Sequence, residues 1–329
     1  MTRSEQVLNG CILGALIGDA AGGVLEFIGR EPDEVDVQSA LTLPGGGVFG
    51  LAPGQFTDDG EMTVSLLAAL VQSDGHYNPK RVAEAYCGWA WSQPFDMGIT
   101  TSNALMPEPP EVVSESSEVR VWRQAAQLNG ASKANGSLMR ATPLGVAASV
   151  LSLEEAADIA RQDARLTHPN QTCQHATAAY VLAIRHLILK PGDKEGAWSV
   201  AAAYVEGHSD EVMGWLQDAA TTTPGAAHQL AGFVRHAFTA AFYHLGQGTD
   251  YREALAATLA QGGDTDTNAC IVGGLIGALH GIEGIPPEML DGLLNCDTRK
   301  GRMRPDEYTI KPVPGNLSRL GAVLWPAGR

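Results

Sequence analysis

The sequence predicts an all-α fold, and three observations carry that expectation. Apolar residues recur every three to four positions along most of the chain. Few stretches alternate strictly enough to be strands. Alanine and glycine are abundant while aromatics make up only 6% of the 329 residues, and small side chains let helix backbones approach closely. A chain of this length can bury a sizeable core.

The first helix is marked by Val7, Leu8, Cys11, Ile12, Ala15 and Leu16, which share one face. Gly14, Gly18 and Gly22 add a stripe along it, and Gly273, Gly277 and Gly281 repeat the stripe far downstream. Interior glycine costs roughly 0.5–1 kcal/mol relative to alanine, so two such stripes predict two helices packed on each other. That pairing would join the ends of the chain, and it favours one domain over residues 1–329. The stretch Ile28 to Phe56 holds Pro32, Pro44, Gly45, Gly46, Gly47 and Pro53. It reads as a long ordered loop, with an extended piece near Val48-Phe49, and loops of that length are usually functional.

A second helix carries Met62, Leu66, Leu67, Leu70 and Val71, and a third contains Trp89 and Trp91. Residues Met106 to Val119 are acidic and Pro-rich, the pattern of an exposed loop. His168-Pro169 suits the first turn of the helix marked by Tyr180, Val181, Ile184, Leu187 and Ile188. Another helix carries Ile271, Val272, Leu275, Ile276 and Leu279. Residues 300–329 are expected to form an irregular tail, with extended pieces between Arg304 and Pro326.

The net charge of −15, with no basic stripe, argues against a nucleic-acid partner. Cys11, Cys87, Cys173, Cys270 and Cys296 are odd in number, widely spaced and without a CxxC pair, which fits neither a disulfide framework nor a zinc site. Glu5 and Asp19 interrupt what would otherwise resemble a signal peptide, and the apolar run Ala269 to Leu279 is too short to span a bilayer. A soluble cytoplasmic protein without a membrane partner is the expectation.

Two acidic clusters, Thr57-Asp58-Asp59 and Asp264-Thr265-Asp266-Thr267, have glycine shortly before them (Gly54 and Gly263) and precede a helical run. Crowded carboxylates raise each other's pKa values unless a cation sits between them. Asp and Thr oxygens are hard ligands, suited to Mg²⁺, Mn²⁺ or Ca²⁺. One reading folds the chain back to join the clusters around one or two ions; the other makes each a helix N-cap. Asp58 followed by Glu61 fits a capping box. Asp264, Asp266 and Asn268 fall at the first EF-hand positions, but Ala269 and Leu275 occupy the places that need Gly and Glu. A calcium-sensor loop is therefore not expected.

Six segments in order resemble the ADP-ribosylglycohydrolases of the dinitrogenase-reductase-activating type: GALIGDAAGGVLEF, PGQFTDDGEM, PFDMGITTSNAL, ANGSLMRATPLG, LTHPN and GGDTDTNACIVGGLIGALHG. The resemblance implies a compact orthogonal helical bundle with a dinuclear metal cleft. Thr57, Asp58, Asp59, Asp264, Asp266 and Thr267 would hold two divalent cations, Mg²⁺ or Mn²⁺. The implied reaction hydrolyses the bond between ADP-ribose and a modified protein side chain, releasing ADP-ribose. Glu26, Asp59 and Asp96 become candidates for proton handling, and Asp96 favours an arginine-linked over a serine-linked substrate because a carboxylate can pair with guanidinium. Gly98, the Asn135-Gly136-Ser137 turn and His168 become candidate substrate contacts. The turn would offer backbone N–H groups to a phosphate. His168, at a helix entrance, would be kept neutral by the helix dipole and serve as a hydrogen-bonding contact. Two other readings remain open: hydrolysis of another ADP-ribose derivative, and an immunity-type protein that counters an ADP-ribosyltransferase.

Overall fold

The structure, a computed structural model, describes residues 1–106 and 116–326. Its described residues form 16 α-helices and no β-strand; two isolated bridges, Gly46 with Leu51 and Ala134 with Phe233, are its extended pairings. The core is a helix pair, Arg3–Gly22 against Thr265–His280. Beyond its first turns the Arg3–Gly22 helix is buried nearly all round, so its apolar residues are not confined to one face. That is how a helix at the centre of a bundle reads.

The glycine stripes meet as expected. A Cβ added at Gly14 would lie 2.5 Å from the Gly273 carbonyl oxygen, and one at Gly10 would collide with Gly277. Further along, Gly18 faces Ala269 and Gly22 faces Thr265 and Asp266, because the helices run antiparallel. Two tyrosines satisfy helix carbonyls in this core: Tyr251 donates to Gly14 O at 2.6 Å and Tyr180 to Ile271 O at 2.9 Å. Around the pair pack Gln171–Leu189, Val234–Gln247 and Tyr251–Leu259, while Asp58–Gln72 is backed by Pro79–Trp91.

The C-terminal region differs from the expectation of an irregular tail. After Pro287–Leu294 the chain ends its described course in a helix, Val313–Leu324, whose Val313, Leu317, Leu320 and Leu324 are buried. Pro312, Pro314 and Pro326 mask its apolar spacing, yet Pro314 sits within the first turn, where its missing N–H costs nothing. The approach to this helix is anchored by Arg304, which donates to both Glu61 carboxylate oxygens at 2.8 Å. Trp89 Nε1 adds a bond of 2.7 Å to the same carboxylate.

The expected acidic loop from Met106 to Val119 lies mostly outside the described residues; its end, from Ser117, belongs to the helix Ser117–Leu128. Among the described residues, no helix is long and apolar enough to cross a membrane. Cys11, Cys87, Cys173 and Cys270 are free and buried, as small hydrophobes would be.

Candidate active site

The helix pair delivers Asp264 and Asp266 to one end of the bundle, and the Asp58–Gln72 helix begins beside them. Thr57, not Asp58, is its N-cap residue, and the capping box expected from Asp58 and Glu61 does not form. Glu61 is committed to Arg304 and Trp89 instead. The helix entrance is satisfied by Asp19, from the first helix. Its Oδ1 accepts from Thr57 N and Thr57 Oγ1, both at 2.8 Å, and its Oδ2 accepts from Gly60 N at 2.6 Å.

The second entrance is arranged in the same way. Asp264 is the N-cap residue of Thr265–His280 but makes no side-chain cap bond. Glu26 reaches across, its Oε2 accepting from Thr265 N at 3.0 Å and Thr265 Oγ1 at 3.2 Å. An acid from the first helix or its exit thus caps each helix in trans. Asp58, Asp59 and Asp264 make no cap bond of their own, while Asp266 accepts from Thr267 N through Oδ1 at 2.9 Å and keeps Oδ2 toward Thr57.

Their side chains make three groups with potential ligand atoms within 4.8 Å of one another: Asp19, Asp59 and Asp266; Glu26, Asp264 and Asp266; Asp58, Asp96 and Asp266. Asp266 belongs to all three. Thr57 Oγ1 lies 3.2 Å from both Asp59 Oδ2 and Asp266 Oδ2. Burial, then mutual repulsion, raises the carboxyl pKa values of Asp58, Asp59 and Asp266 well above the ordinary range. Burial lifts Glu26 to about 8, with Asp264 adding to the effect, and Asp19 to about 7. Asp96, half-buried, is raised as well, mainly by burial.

These residues fit a divalent cation. The donors are hard oxygens, and Asp59 Oδ1 is buried without a hydrogen-bond partner. The acids face a cavity of about 300 Å³ that, among the described residues, is lined by neither Lys nor Arg. A divalent cation held there would supply counter-charge to these carboxylates.

Of the sequence-selected residues, Glu26, Asp58, Asp96, Gly98, Asn135, Gly136, His168, Asp264, Asp266 and Thr267 line that cavity. Asn135 Nδ2 donates to Asp264 Oδ2 at 2.9 Å, tying the turn to the second cluster. Thr57 and Asp59 stand behind the lining, within the acidic groups. Ser137 is different: its side chain is fully buried and pairs with Thr177 Oγ1 at 3.3 Å, so its hydroxyl faces the core.

His168 is 1% exposed, and its Nδ1 is 2.7 Å from Thr167 Oγ1. The helix expected to start at Pro169 starts at Gln171, capped by Asn170, so Pro169 precedes the cap. The neutral state expected of His168 has another cause than a helix dipole. Burial, then the nearby Arg140 guanidinium, lowers its pKa to about 3.

The sequence assigns no role to three contributors, although Thr265 belongs to the second acidic cluster. Asp19 interrupts an apolar helix, which is a legible signal of a buried acid with a task. Thr265 holds Glu26. Phe27 has a left-handed backbone (φ 57°) and is 64% exposed at the cavity rim, its ring packed edge-on to Phe49 at 5.8 Å. No sequence signal marked Phe27, since a bulky residue is disfavoured at positive φ.

A family model described as ADP-ribosylglycohydrolase matches residues 2–310. The ADP-ribosyl-[dinitrogen reductase] glycohydrolase of Rhodospirillum rubrum is 28% identical over 289 residues, covering 86% of this chain and 89% of that protein. The ADP-ribosylarginine hydrolase Tri1 of Pseudomonas putida is 29% identical over 304 residues, covering 87% and 75%. A solved structure titled ADP-ribosylglycohydrolase-related protein complex superposes with a TM-score of 0.73 at 22% identity, covering 98% of each chain. That likeness supports the fold alone.

Proposed function

Because the chain belongs to the ADP-ribosylglycohydrolase family, and is therefore a hydrolase, we propose that it removes ADP-ribose from arginine side chains of modified proteins with the aid of two divalent cations, Mg²⁺ or Mn²⁺. The observation that carries this reading is the convergence of three carboxylate groups on Asp266 beside a cavity that Glu26 and Asp96 also line. Thr57, Asp58, Asp59, Asp264, Asp266 and Thr267 would hold the ions. Asp19 belongs with them, since it shares a group with Asp59 and Asp266. Bound there, such ions supply charge that orients ribose oxygens and lowers the pKa of water.

The protein's own groups do the rest. Asn135, Gly136, Gly98 and His168 would hold the ADP-ribosyl group against one wall. Glu26 has one oxygen fixed by Thr265, which leaves the other to orient or deprotonate a water. That water's oxygen bonds to the ribose C1″ as the C1″–N bond breaks, and the departing guanidine nitrogen takes a proton and leaves as guanidinium. Glu26, Asp59 and Asp96 are the candidate proton carriers, and Asp96 also pairs with the guanidinium. A relative whose name specifies ADP-ribosylarginine supports this acceptor. In the same proposal residues 1–329 act as one domain, a view supported by the helix pair drawn from both ends, and the location is cytoplasmic, in keeping with the free cysteines.

The test is release of ADP-ribose from arginine-linked and serine-linked protein, with Mg²⁺, Mn²⁺ or chelator. Release from the arginine-linked substrate that chelation abolishes is expected. Asp58→Ala and Asp266→Ala should each abolish turnover and weaken metal binding in calorimetry. Preference for the serine linkage would refute the acceptor assignment, and full activity of both variants would refute the metal site.

A further inference from the structure

We infer that Arg140 and Thr167 form a hydrogen-bond relay that locks His168 in its Nε2–H tautomer, so that the ring presents a fixed donor to an oxygen of the bound ADP-ribosyl group. The donor's target rests on the proposed function; the tautomer does not.

The polarity of the relay follows from which atoms can donate. A guanidinium has N–H donors and no acceptor. Arg140 Nη1 is 2.8 Å from Thr167 Oγ1, so the hydroxyl oxygen accepts that bond. The hydroxyl has one proton of its own, and His168 Nδ1 stands 2.7 Å away. If Thr167 donates to Nδ1, that nitrogen carries no proton and the neutral ring holds its proton on Nε2. In the reverse arrangement Nδ1–H would donate to Thr167, and the hydroxyl proton would lack an acceptor. Thr167 is fully buried, where an unmade hydrogen bond carries its full desolvation cost. The first arrangement therefore wins.

The guanidinium is itself held rigidly. Its Nε donates to Asp163 Oδ2 at 3.0 Å and its Nη2 to Asp163 O at 2.9 Å. Tyr86 supports both partners, donating to Asp163 Oδ1 at 2.9 Å while its ring lies 4.5 Å from Arg140 Cζ. Arg140 and Asp163 are fully buried, and neither touches the cavity.

Arg140 also fixes the neighbouring wall. Nη1 donates to Gly136 O at 3.2 Å, so one group sets both the turn and the imidazole. The fit between them is close, since a Cβ at Gly136 would come within 2.8 Å of His168 Cε1 and 3.1 Å of Nε2. His168 and Gly136 both line the cavity, and Nε2 is the ring nitrogen on the Gly136 side. Diphosphate and ribose hydroxyl oxygens both accept hydrogen bonds, and a locked N–H donor recognises them without needing a charged imidazole. Arg140 and Thr167 are positioning residues, because they act through His168.

The test reads the tautomer directly, by ¹⁵N-edited NMR of histidine-labelled full-length protein, with the His168 signals identified by their absence from His168→Gln. Wild type should show a protonated Nε2 and a bare Nδ1. Thr167→Val removes the hydroxyl at constant shape. It should give mixed tautomers and weaken ADP-ribose binding about tenfold in calorimetry, the loss expected of one hydrogen bond. Thr167→Ser should restore both readings. A protonated Nδ1 in wild type, or a Thr167→Val protein with unchanged tautomer and affinity, would overturn the relay. If Thr167→Val does not fold, the wild-type and Thr167→Ser tautomers decide. If wild type binds no ADP-ribose, the proposed function fails, while the tautomer still supports or overturns the lock.

Discussion

Asp19 illustrates how much one buried acid can organise. It receives three hydrogen bonds from the start of another helix and also stands in a carboxylate group with Asp59 and Asp266. Asparagine keeps one acceptor oxygen, so Asp19→Asn can satisfy Thr57 or Gly60 but not both. With chelator present, this variant should lose about 0.5–2 kcal/mol of stability, the range for a lost cap, and it should bind Mn²⁺ more weakly. Thermal melts and calorimetry check the two effects separately; an unchanged melting temperature would remove the trans cap from the account. The sequence identified most of the acids that meet here, because Asp and Thr crowded at helix starts are a chemical anomaly. It did not reveal Asp19 as their support, since its partners lie 38 and 41 residues away in the chain.

At the scale of elements, the central helix pair rests on backbone approach that side chains would block. Gly14→Leu places a branched side chain where even a Cβ would meet Gly273. Overpacking costs about 1–3 kcal/mol when neighbours can shift, and two helix backbones cannot shift independently, so destabilisation at or above the top of that range is expected. Chemical denaturation would measure it, and a stable Gly14→Leu protein would contradict the packing. The Arg304–Glu61 pair joins the C-terminal region to the Asp58 helix. Both side chains are almost fully buried, and breaking one half of a buried pair costs roughly 3–5 kcal/mol. Glu61→Gln should therefore lower the melting temperature by several degrees, while the cavity-lining acids stay in place. Glycine periodicity made the first contact legible. The second was not, because Glu61 in sequence offered a capping box that was locally as good.

For the whole molecule, the site is a concentration of negative charge that folding must tolerate. Glu26 and Asp19 are lifted from ordinary values of 4.5 and 3.8 to about 8 and about 7. The folded state then binds more protons than the unfolded state between those limits. Its stabilisation is complete below the ordinary values and is lost as pH rises through 7 to 8. Metal-free protein should accordingly melt at lower temperature as pH rises from roughly 5 to 8, and Mg²⁺ or Mn²⁺ should flatten that slope by neutralising the acids. Equal slopes with metal and with chelator would rule out the acids as the source. The sequence by itself determined the helical class, the glycine-mediated joining of the chain ends and most of the acids at the cavity. Each of these is written in local spacing or in chemistry that has no other comfortable place. Tertiary structure alone decided which acids cap the helices and which remain for a ligand, that the C-terminal region holds a buried helix, Val313–Leu324, and which way Ser137 and His168 face. Those outcomes depend on hydrogen-bond partners supplied by distant segments, and a capping acid reads the same in sequence whether it serves its own helix or another.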